Sequence, residues 1–375
     1  VRRIVFIALI VLTGAKCLLA QSSPEMEQVL SIVKQVKAEM APDRRLEMFS
    51  ITPLFRDDKL FLHGETSVPA ARDTLIARIS RLGHWRLVQE IALLPDSSVG
   101  NRSHGLITIS TGHLRRGPDV DYEMISQGLL GEPVTILKKE HDFFLIKLSD
   151  GYLGYMMGSS LCRKTAEEFR AWQDRPRAVF FKENFGEIYS EKTSDSFPVS
   201  DFVRGAIVAV VKKEGKWWQV ELPDGRRGWV KKTILLDEKE FSSQPKPGPR
   251  QLIKTAREFT GHPYLWGGMS SKGFDCSGFT KTIYHLNGIE LPRDANMQVK
   301  VGKEIPFDST FSTVQPGDLL FFGRSMERIT HVGMYIGDRR FIHSDGMVHI
   351  NSFDPRHAEY NPYRFKSLRA IRRII

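Results

Sequence analysis

The tightest constraint on what this 375-residue chain can fold into is a repeat inside it. Lys138-Lys139-Glu140-His141-Asp142-Phe143-Phe144, continuing to Asp150-Gly151-Tyr152-Leu153-Gly154-Tyr155, matches Lys212-Lys213-Glu214-Gly215-Lys216-Trp217-Trp218, continuing to Asp224-Gly225-Arg226-Arg227-Gly228-Trp229, without a gap. In each copy an aromatic pair opens one apolar run, an Asp-Gly turn follows, and an aromatic closes the next run. That order is strand, tight turn, strand. Strands so short and so closely spaced close into a small β-barrel. Two barrels are therefore expected, over 103–165 and 177–237, joined by a helical stretch around Thr165–Trp172.

The flanks differ in character. Residues 21–100 predict a small α+β module: Met26, Val29, Leu30, Val33 and Met40 recur at helical spacing, as do Ala71, Leu75, Ile79 and Leu82. Strand-like runs lie at Lys59–His63 and Trp85–Leu93. Residues 238–249 are expected to form a linker, since Ser242-Ser243-Gln244-Pro245-Lys246-Pro247-Gly248-Pro249 has the proline density of an extended spacer. From Arg250 onward the pattern returns to α+β. A chain of this length exceeds what one core serves, and 41% apolar with 26% charged residues is ordinary for globular domains. The formal charge of +10 favours an anionic partner, whether nucleic acid, membrane surface or acidic wall polymer, and does not choose among them.

Arg2 and Arg3 precede an apolar run, Ile4 to Leu12, and Leu18-Leu19-Ala20 ends on a small residue. This is the order of a secretory signal peptide over residues 1–20, with Gln21 as the mature start, so the protein is expected in the periplasm or outside the cell. Lipidation at Cys17 is the rival, disfavoured by Lys16 where a small residue is wanted. No later stretch reaches the eighteen apolar residues of a membrane span. Only Cys162 and Cys276 then remain, and a bridge between them is the bland possibility for an exported protein.

Cys276 has more telling surroundings. Phe274-Asp275-Cys276-Ser277-Gly278-Phe279 ends a glycine- and serine-rich loop and opens a helix whose buried face is Phe279, Ile283 and Leu286, stopped at Asn287-Gly288. A cysteine in the first helical turn meets the dipole and the free N–H groups, which favour its thiolate. Downstream, Thr330–Ile336 and Arg340–Ser344 alternate like strands about a Gly337-Asp338 turn. His331 and His343 are equidistant from Gly337 and should lie opposite or nearly opposite on one hairpin face, with Val332, Met334 and Ile336 on the other. A base and its orienting partner beside a cysteine make a nucleophilic site. Zinc held by Cys276, His331 and His343 is the competing use of these residues.

Pro263-Tyr264-Leu265-Trp266-Gly267-Gly268, Phe274-Asp275-Cys276-Ser277-Gly278, Leu291-Pro292-Arg293-Asp294, Pro316-Gly317-Asp318-Leu319, His331-Val332-Gly333 and Phe341-Ile342-His343 occur in that order. Together they resemble the NlpC/P60 family of papain-like bacterial wall peptidases over nearly all of 250–360, and the repeats resemble bacterial SH3-like domains. The implied fold class is α+β: a papain-like NlpC domain (250–375) after two SH3-like barrels and the small N-terminal module. The resemblance implies cleavage of the γ-D-Glu–diamino acid bond in L-Ala-γ-D-Glu-diamino acid stem peptides by a monomeric enzyme, with no nucleic acid partner, metal or organic cofactor. It gives Cys276, His331 and His343 the catalytic triad and Tyr264 an oxyanion-stabilising hydroxyl. It gives Trp266, Asp275, Ser277, Arg293 and Asp294 the pocket for the L-Ala-γ-D-Glu end. Blander roles stand beside these: Asp294 could cap a helix Ala295–Val301, Asp275 could cap the Cys276 helix, and Tyr264 and Trp266 could pack the loop. Ala295 stands where relatives often have serine.

The SH3-like repeats resemble those of the family's branch that cuts γ-D-glutamyl–diamino acid bonds, which implies a pocket closed over a free amine by the first SH3-like domain. Glu123 has no counterpart in the second repeat, and Tyr152 replaces Arg226, so these two are the candidates for holding an ammonium. A solvated glutamate and a barrel-packing tyrosine are the plain alternatives. An idle wall-binding protein, or an acyltransferase or amidase on the same core, are the other functional readings. The latter would need an apolar groove, whereas Arg293, Asp294 and Glu123 describe a charge-reading pocket.

Overall fold

A computed structural model describes residues 23–375 except His84. The expected signal segment 1–20 and Cys17 lie outside the described residues. Among those described, no helix is long and apolar enough to cross a membrane. The chain forms two compact units, one containing the helix Pro24–Met40 and residues Phe49–Ile91, the other made of Asp43–Met48 and Ala92–Ile375.

The first unit is the small α+β module. Its helix starts on the Ser23 cap with Pro24 in the first turn, and buries Val29, Val33 and Val36. The helix Pro69–Ser80 buries Ala71, Leu75 and Ile79. Both close on Phe49, Ile51, Leu60 and Leu62 of the antiparallel strands Phe49–Arg56 and Lys59–Thr66.

In the second unit the repeat becomes two seven-stranded barrels with identical topology. The duplication extends to irregularities: a bulge falls between Ile136 and Lys138 in one and between Val210 and Lys212 in the other. Both Asp-Gly turns need a left-handed glycine, Gly151 at φ 88° and Gly225 at φ 90°, which costs other residues about 1 kcal/mol or more. The joining helix is Ala166–Gln173, begun by a Thr165–Glu168 capping box. The expected linker is only partly extended, because Asp237 caps a short helix, Glu238–Ser242, within it.

The last domain is built on a six-stranded antiparallel sheet in the order 303–304, 368–373, 319–323, 329–337, 340–345, 347–352. The helix Cys276–His285 packs on strands Ile329–Gly337 and Arg340–Asp345. Phe279, Ile283, Val332, Met334 and Ile342 form the core between them. Burying each such side chain contributes about 1.5–3 kcal/mol, so helix and sheet are held in one register. The first barrel meets this domain directly: Gln127 Oε1 accepts from Met269 N at 2.9 Å, and Lys272 Nζ reaches Ser110 Oγ at 2.8 Å.

Candidate active site

The loop before the helix is folded by its own backbone, with Leu265 N to Phe274 O at 3.0 Å and Phe274 N to Pro263 O at 3.1 Å. Two glycines allow it to press close. A Cβ on Gly278 would sit 2.0 Å from Gly268 O, and one on Gly267 2.7 Å from Met124 O of the first barrel. Asp275 is the helix cap: its Oδ1 accepts from Gly278 N at 2.7 Å. Its other donors are Gly267 N at 3.0 Å, Ser277 Oγ at 3.2 Å, and Arg293 through Nη1 at 3.1 Å and Nη2 at 2.5 Å. Cys276 is therefore the first helical residue, where backbone N–H groups have no acceptor within the helix.

Position alone does not ionise it. Burial, then the Asp275 carboxylate, push the Cys276 thiol up to about 12, although the Val332 and Ser277 N–H groups and Arg293 pull the other way. Burial thus opposes the thiolate that the helix start favours. A helix start is worth roughly 0.3–1 kcal/mol, less than the desolvation of a buried charge.

His331 and His343 meet. His331 Nε2 lies 2.8 Å from His343 Nδ1, with the rings at 90°. They are diagonal across the ladder rather than directly opposed. A bulge between Tyr335 and Gly337 shifts the register, so that Met334 faces Ile342 and Gly333 comes against His343. A Cβ on Gly333 would be 3.1 Å from His343 Cβ, so the missing side chain makes room for the pair. His343 Nε2 continues to Asn351 Oδ1 at 3.0 Å. Asn361 Nδ2 donates to that same oxygen at 2.8 Å, and Asn351 Nδ2 donates to Ile350 O at 3.2 Å, which fixes the amide's orientation.

The proton positions follow. Asn351 Oδ1 only accepts, so His343 carries its proton on Nε2 and offers the Nδ1 lone pair. His331 then donates from Nε2, leaving its Nδ1 unprotonated and free to act as a base. Burial drives both rings toward neutrality: His331 falls well below its ordinary value, and His343 drops to about 3 through burial, His349 and Arg364. Asn351 was not among the residues singled out in the sequence, and Gly333 stood there only as part of the His331-Val332-Gly333 motif. A lone asparagine on a strand gives no local signal, and its role depends on register.

The pocket residues divide in two. Asp275, Ser277 and Arg293 are 7%, 5% and 2% exposed and saturate one another. Arg293 also takes Ser126 Oγ at 3.0 Å through Nε. They form an internal network around Cys276, because a buried guanidinium requires a carboxylate and breaking such a pair costs about 3–5 kcal/mol. The other group joins the last domain to the first barrel. Trp266, 60% exposed, donates Nε1 to Glu123 Oε1 at 2.8 Å, and Arg116 holds the other oxygen of Glu123 at 2.6 Å. Tyr152 hydroxyl donates to Asp294 Oδ2 at 2.9 Å, and Arg45 Nη1 reaches the same oxygen at 2.6 Å. Asp294 makes no side-chain cap to the helix Ala295–Gln298. Tyr264 is half-buried; burial, then Cys276, raise its hydroxyl's pKa, so it stays a neutral donor beside the sulfur.

Metal ligation fits poorly. A common ion cannot be shared by His331 and His343 through the two nitrogens that bond to each other. The one grouping with metal spacing among the described residues is His343, Asp345 and His349. There both His343 nitrogens are engaged and Asp345 pairs with Arg364 at 2.8 Å. Cys162 and Cys276 are both free thiols.

Comparison with known proteins agrees with this architecture. Family models match residues 261–369 (NlpC/P60 family), 114–161 (bacterial dipeptidyl-peptidase Sh3 domain) and 183–237 (bacterial SH3 domain). A γ-D-glutamyl-L-lysine dipeptidyl-peptidase of Bacillus subtilis is 39% identical over 242 residues, 61% of this chain and 75% of that protein. One of the same name from Bacillus cereus is 32% identical, covering 58% of this chain and 66% of that protein. The crystal structure of an NlpC/P60 family protein from Bacillus cereus superposes with a TM-score of 0.62 at 25% identity, covering 72% of this chain and 99% of that one.

Proposed function

The chain belongs to the NlpC/P60 family of cysteine peptidases, and from that premise we propose that it hydrolyses the γ-D-Glu–diamino acid amide of peptidoglycan-derived peptides bearing a free L-Ala amine. The observation that carries the reading is the hydrogen-bonded run His331–His343–Asn351, which leaves one lone pair of His331 free on the strand whose Val332 N–H reaches the Cys276 thiol.

As Cys276 Sγ attacks the carbonyl carbon, its proton passes to His331 Nδ1. The oxyanion accepts from Cys276 N–H and the Tyr264 hydroxyl. The imidazolium is stabilised through His343 Nδ1, then gives its proton to the departing diamino acid nitrogen as the C–N bond breaks. Water attacks the resulting thioester with His331 again as base, releasing the γ-carboxylate and restoring the thiol. At the other end, Glu123 and Asp294 supply negative charge for the ammonium, and Tyr152 and Trp266 hold those carboxylates.

The test is cleavage of L-Ala-γ-D-Glu-diaminopimelate beside the same peptide with an acetylated amine, with Cys276→Ala as control. Cleavage of the free-amine peptide alone is expected. Equal cleavage of both would remove the amine requirement, and no cleavage of either would move weight to the acyltransferase reading. The order Arg2-Arg3, Ile4–Leu12 supports export; recovery of cell-associated protein still carrying residues 1–20 would count against it. We also propose a monomer, which sedimentation would check.

A further inference from the structure

The segment Asp43–Met48 precedes the first barrel yet belongs to the second unit, with the catalytic domain. It is pinned to that barrel: Leu153 N donates to Arg45 O at 2.7 Å, Lys147 Nζ pairs with Glu47 at 2.8 Å, and Leu46 packs against the barrel core. Asp43 turns the segment. Its carbonyl accepts from Leu46 N and Glu47 N at 3.0 Å, and its Oδ1 accepts from Arg45 N at 3.0 Å. The same carboxylate takes Arg45 Nε at 2.8 Å and Nη2 at 2.6 Å, a two-point hold that fixes the guanidinium plane. The third nitrogen, Nη1, then reaches Asp294 Oδ2 at 2.6 Å and Asn296 Oδ1 at 2.7 Å. The Arg45 and Asp294 side chains are only 25% and 27% exposed, so water screens the pair weakly.

On the peptidase reading above, Asp294 meets the substrate's ammonium, and Arg45 already stands on that carboxylate. Arg45 Nη1 and the Tyr152 hydroxyl both fall on Oδ2, which leaves Oδ1 as the oxygen for the ammonium. Asp43, Asp294 and Arg45 together carry one net negative charge; without the guanidinium they would carry two, and draw a cation more strongly. Arg45 is not needed to orient Asp294, since Tyr152 holds the same oxygen at 2.9 Å. Its charge therefore outweighs its orienting effect. We propose that Arg45 sets the affinity of the amine end: it is an internal cation that shares Asp294 with the substrate's ammonium and weakens the hold on substrate and product alike. Hydrolysis beyond γ-D-Glu leaves L-Ala-γ-D-Glu with the same free amine, so a grip common to both does not raise kcat and delays release. The inference rests on the peptidase reading and adds to it a residue from outside the barrels and the catalytic domain.

The experiment measures KM for L-Ala-γ-D-Glu-diaminopimelate, and the inhibition constant of L-Ala-γ-D-Glu against it, in the full-length protein and in Arg45→Gln and Asp43→Asn. Arg45→Gln removes the competing charge, so both constants should fall about tenfold, ~1.4 kcal/mol. Asp43→Asn removes the other carboxylate and leaves the whole guanidinium charge to Asp294. Both constants should then rise, by about threefold to tenfold. Opposite directions are the signature, because a merely structural role would move the constants the same way in the two variants, each of which breaks the Asp43–Arg45 pair. Shifts in one direction, or constants that either variant leaves unmoved, overturn the inference while leaving the peptidase reading intact. Should Arg45→Gln not fold, Asp43→Asn decides alone, and constants that fall or stay put overturn the inference. No cleavage by the unaltered protein overturns the peptidase reading, and the inference with it.

Discussion

At the scale of single residues, the decisive question is which ring nitrogens carry protons. Asn351 answers it for both histidines by offering an acceptor to His343 Nε2 at 3.0 Å. Asn351→Ala should therefore lower kcat by about 10- to 100-fold with KM nearly kept, the range typical when an orienting partner is lost. Asn351→Asp, which keeps the acceptor, should restore much of it; steady-state kinetics on the free-amine peptide checks both. The buried histidines also make a stability statement. Their native pKa values lie below the ordinary 6.5, about 3 for His343, so the unfolded chain binds more protons between those limits. Stability is complete above pH 6.5 and is lost as pH falls, at about 1.4 kcal/mol per unit for each neutral ring. The slope of thermal midpoint against pH from 7 to 4 should be shallower in His343→Gln than in the unaltered protein. Equal slopes would show that His343 is not the group responsible.

At the scale of elements, one bulge and one glycine bring the catalytic pair together. The extra residue between Tyr335 and Gly337 moves Gly333 against His343, and the absent side chain lets the two rings approach diagonally. Gly333→Ala would press a methyl to 3.1 Å from His343 Cβ and 3.2 Å from Phe341 Cδ2. We expect a loss of about 1–3 kcal/mol in stability, as for other overpacked sites, and a fall in kcat larger than that destabilisation explains. Chemical denaturation and kinetics on one sample separate the two effects; a stable variant with full kcat would mean that the pair tolerates another spacing. The hairpin and its two histidines were legible in the sequence because alternation and a turn are local. The bulge was not, since a one-residue register shift depends on which side chains the helix Cys276–His285 buries.

At the scale of the whole second unit, a barrel more than a hundred residues upstream supplies one wall of the site. Glu123 and Trp266 are 2.8 Å apart across that junction, as are Tyr152 and Asp294 at 2.9 Å. Glu123→Gln keeps the shape and the acceptor for Trp266 but removes the charge. KM for the free-amine peptide should rise about tenfold with kcat little altered, the scale of a charge-assisted hydrogen bond. If the acetylated peptide suffers the same loss, Glu123 serves the junction and not the amine.

What the sequence determined by itself is the set of features carried by neighbours in the chain. These are the duplicated Asp-Gly turns, the Thr165 capping box, the cysteine following its capping aspartate, and the hairpin bearing two histidines. Each is decided within a few residues by backbone sterics and local hydrogen bonds. Tertiary structure decided the rest: the burial that opposes the thiolate a helix start favours, the mutual pairing of Asp275, Ser277 and Arg293, and the Asn351 acceptor. These depend on how far water is excluded and on which distant groups share the dry space. Burial is set by the packing of remote elements, and the energy of a charge or an unpaired donor follows burial more steeply than any local preference.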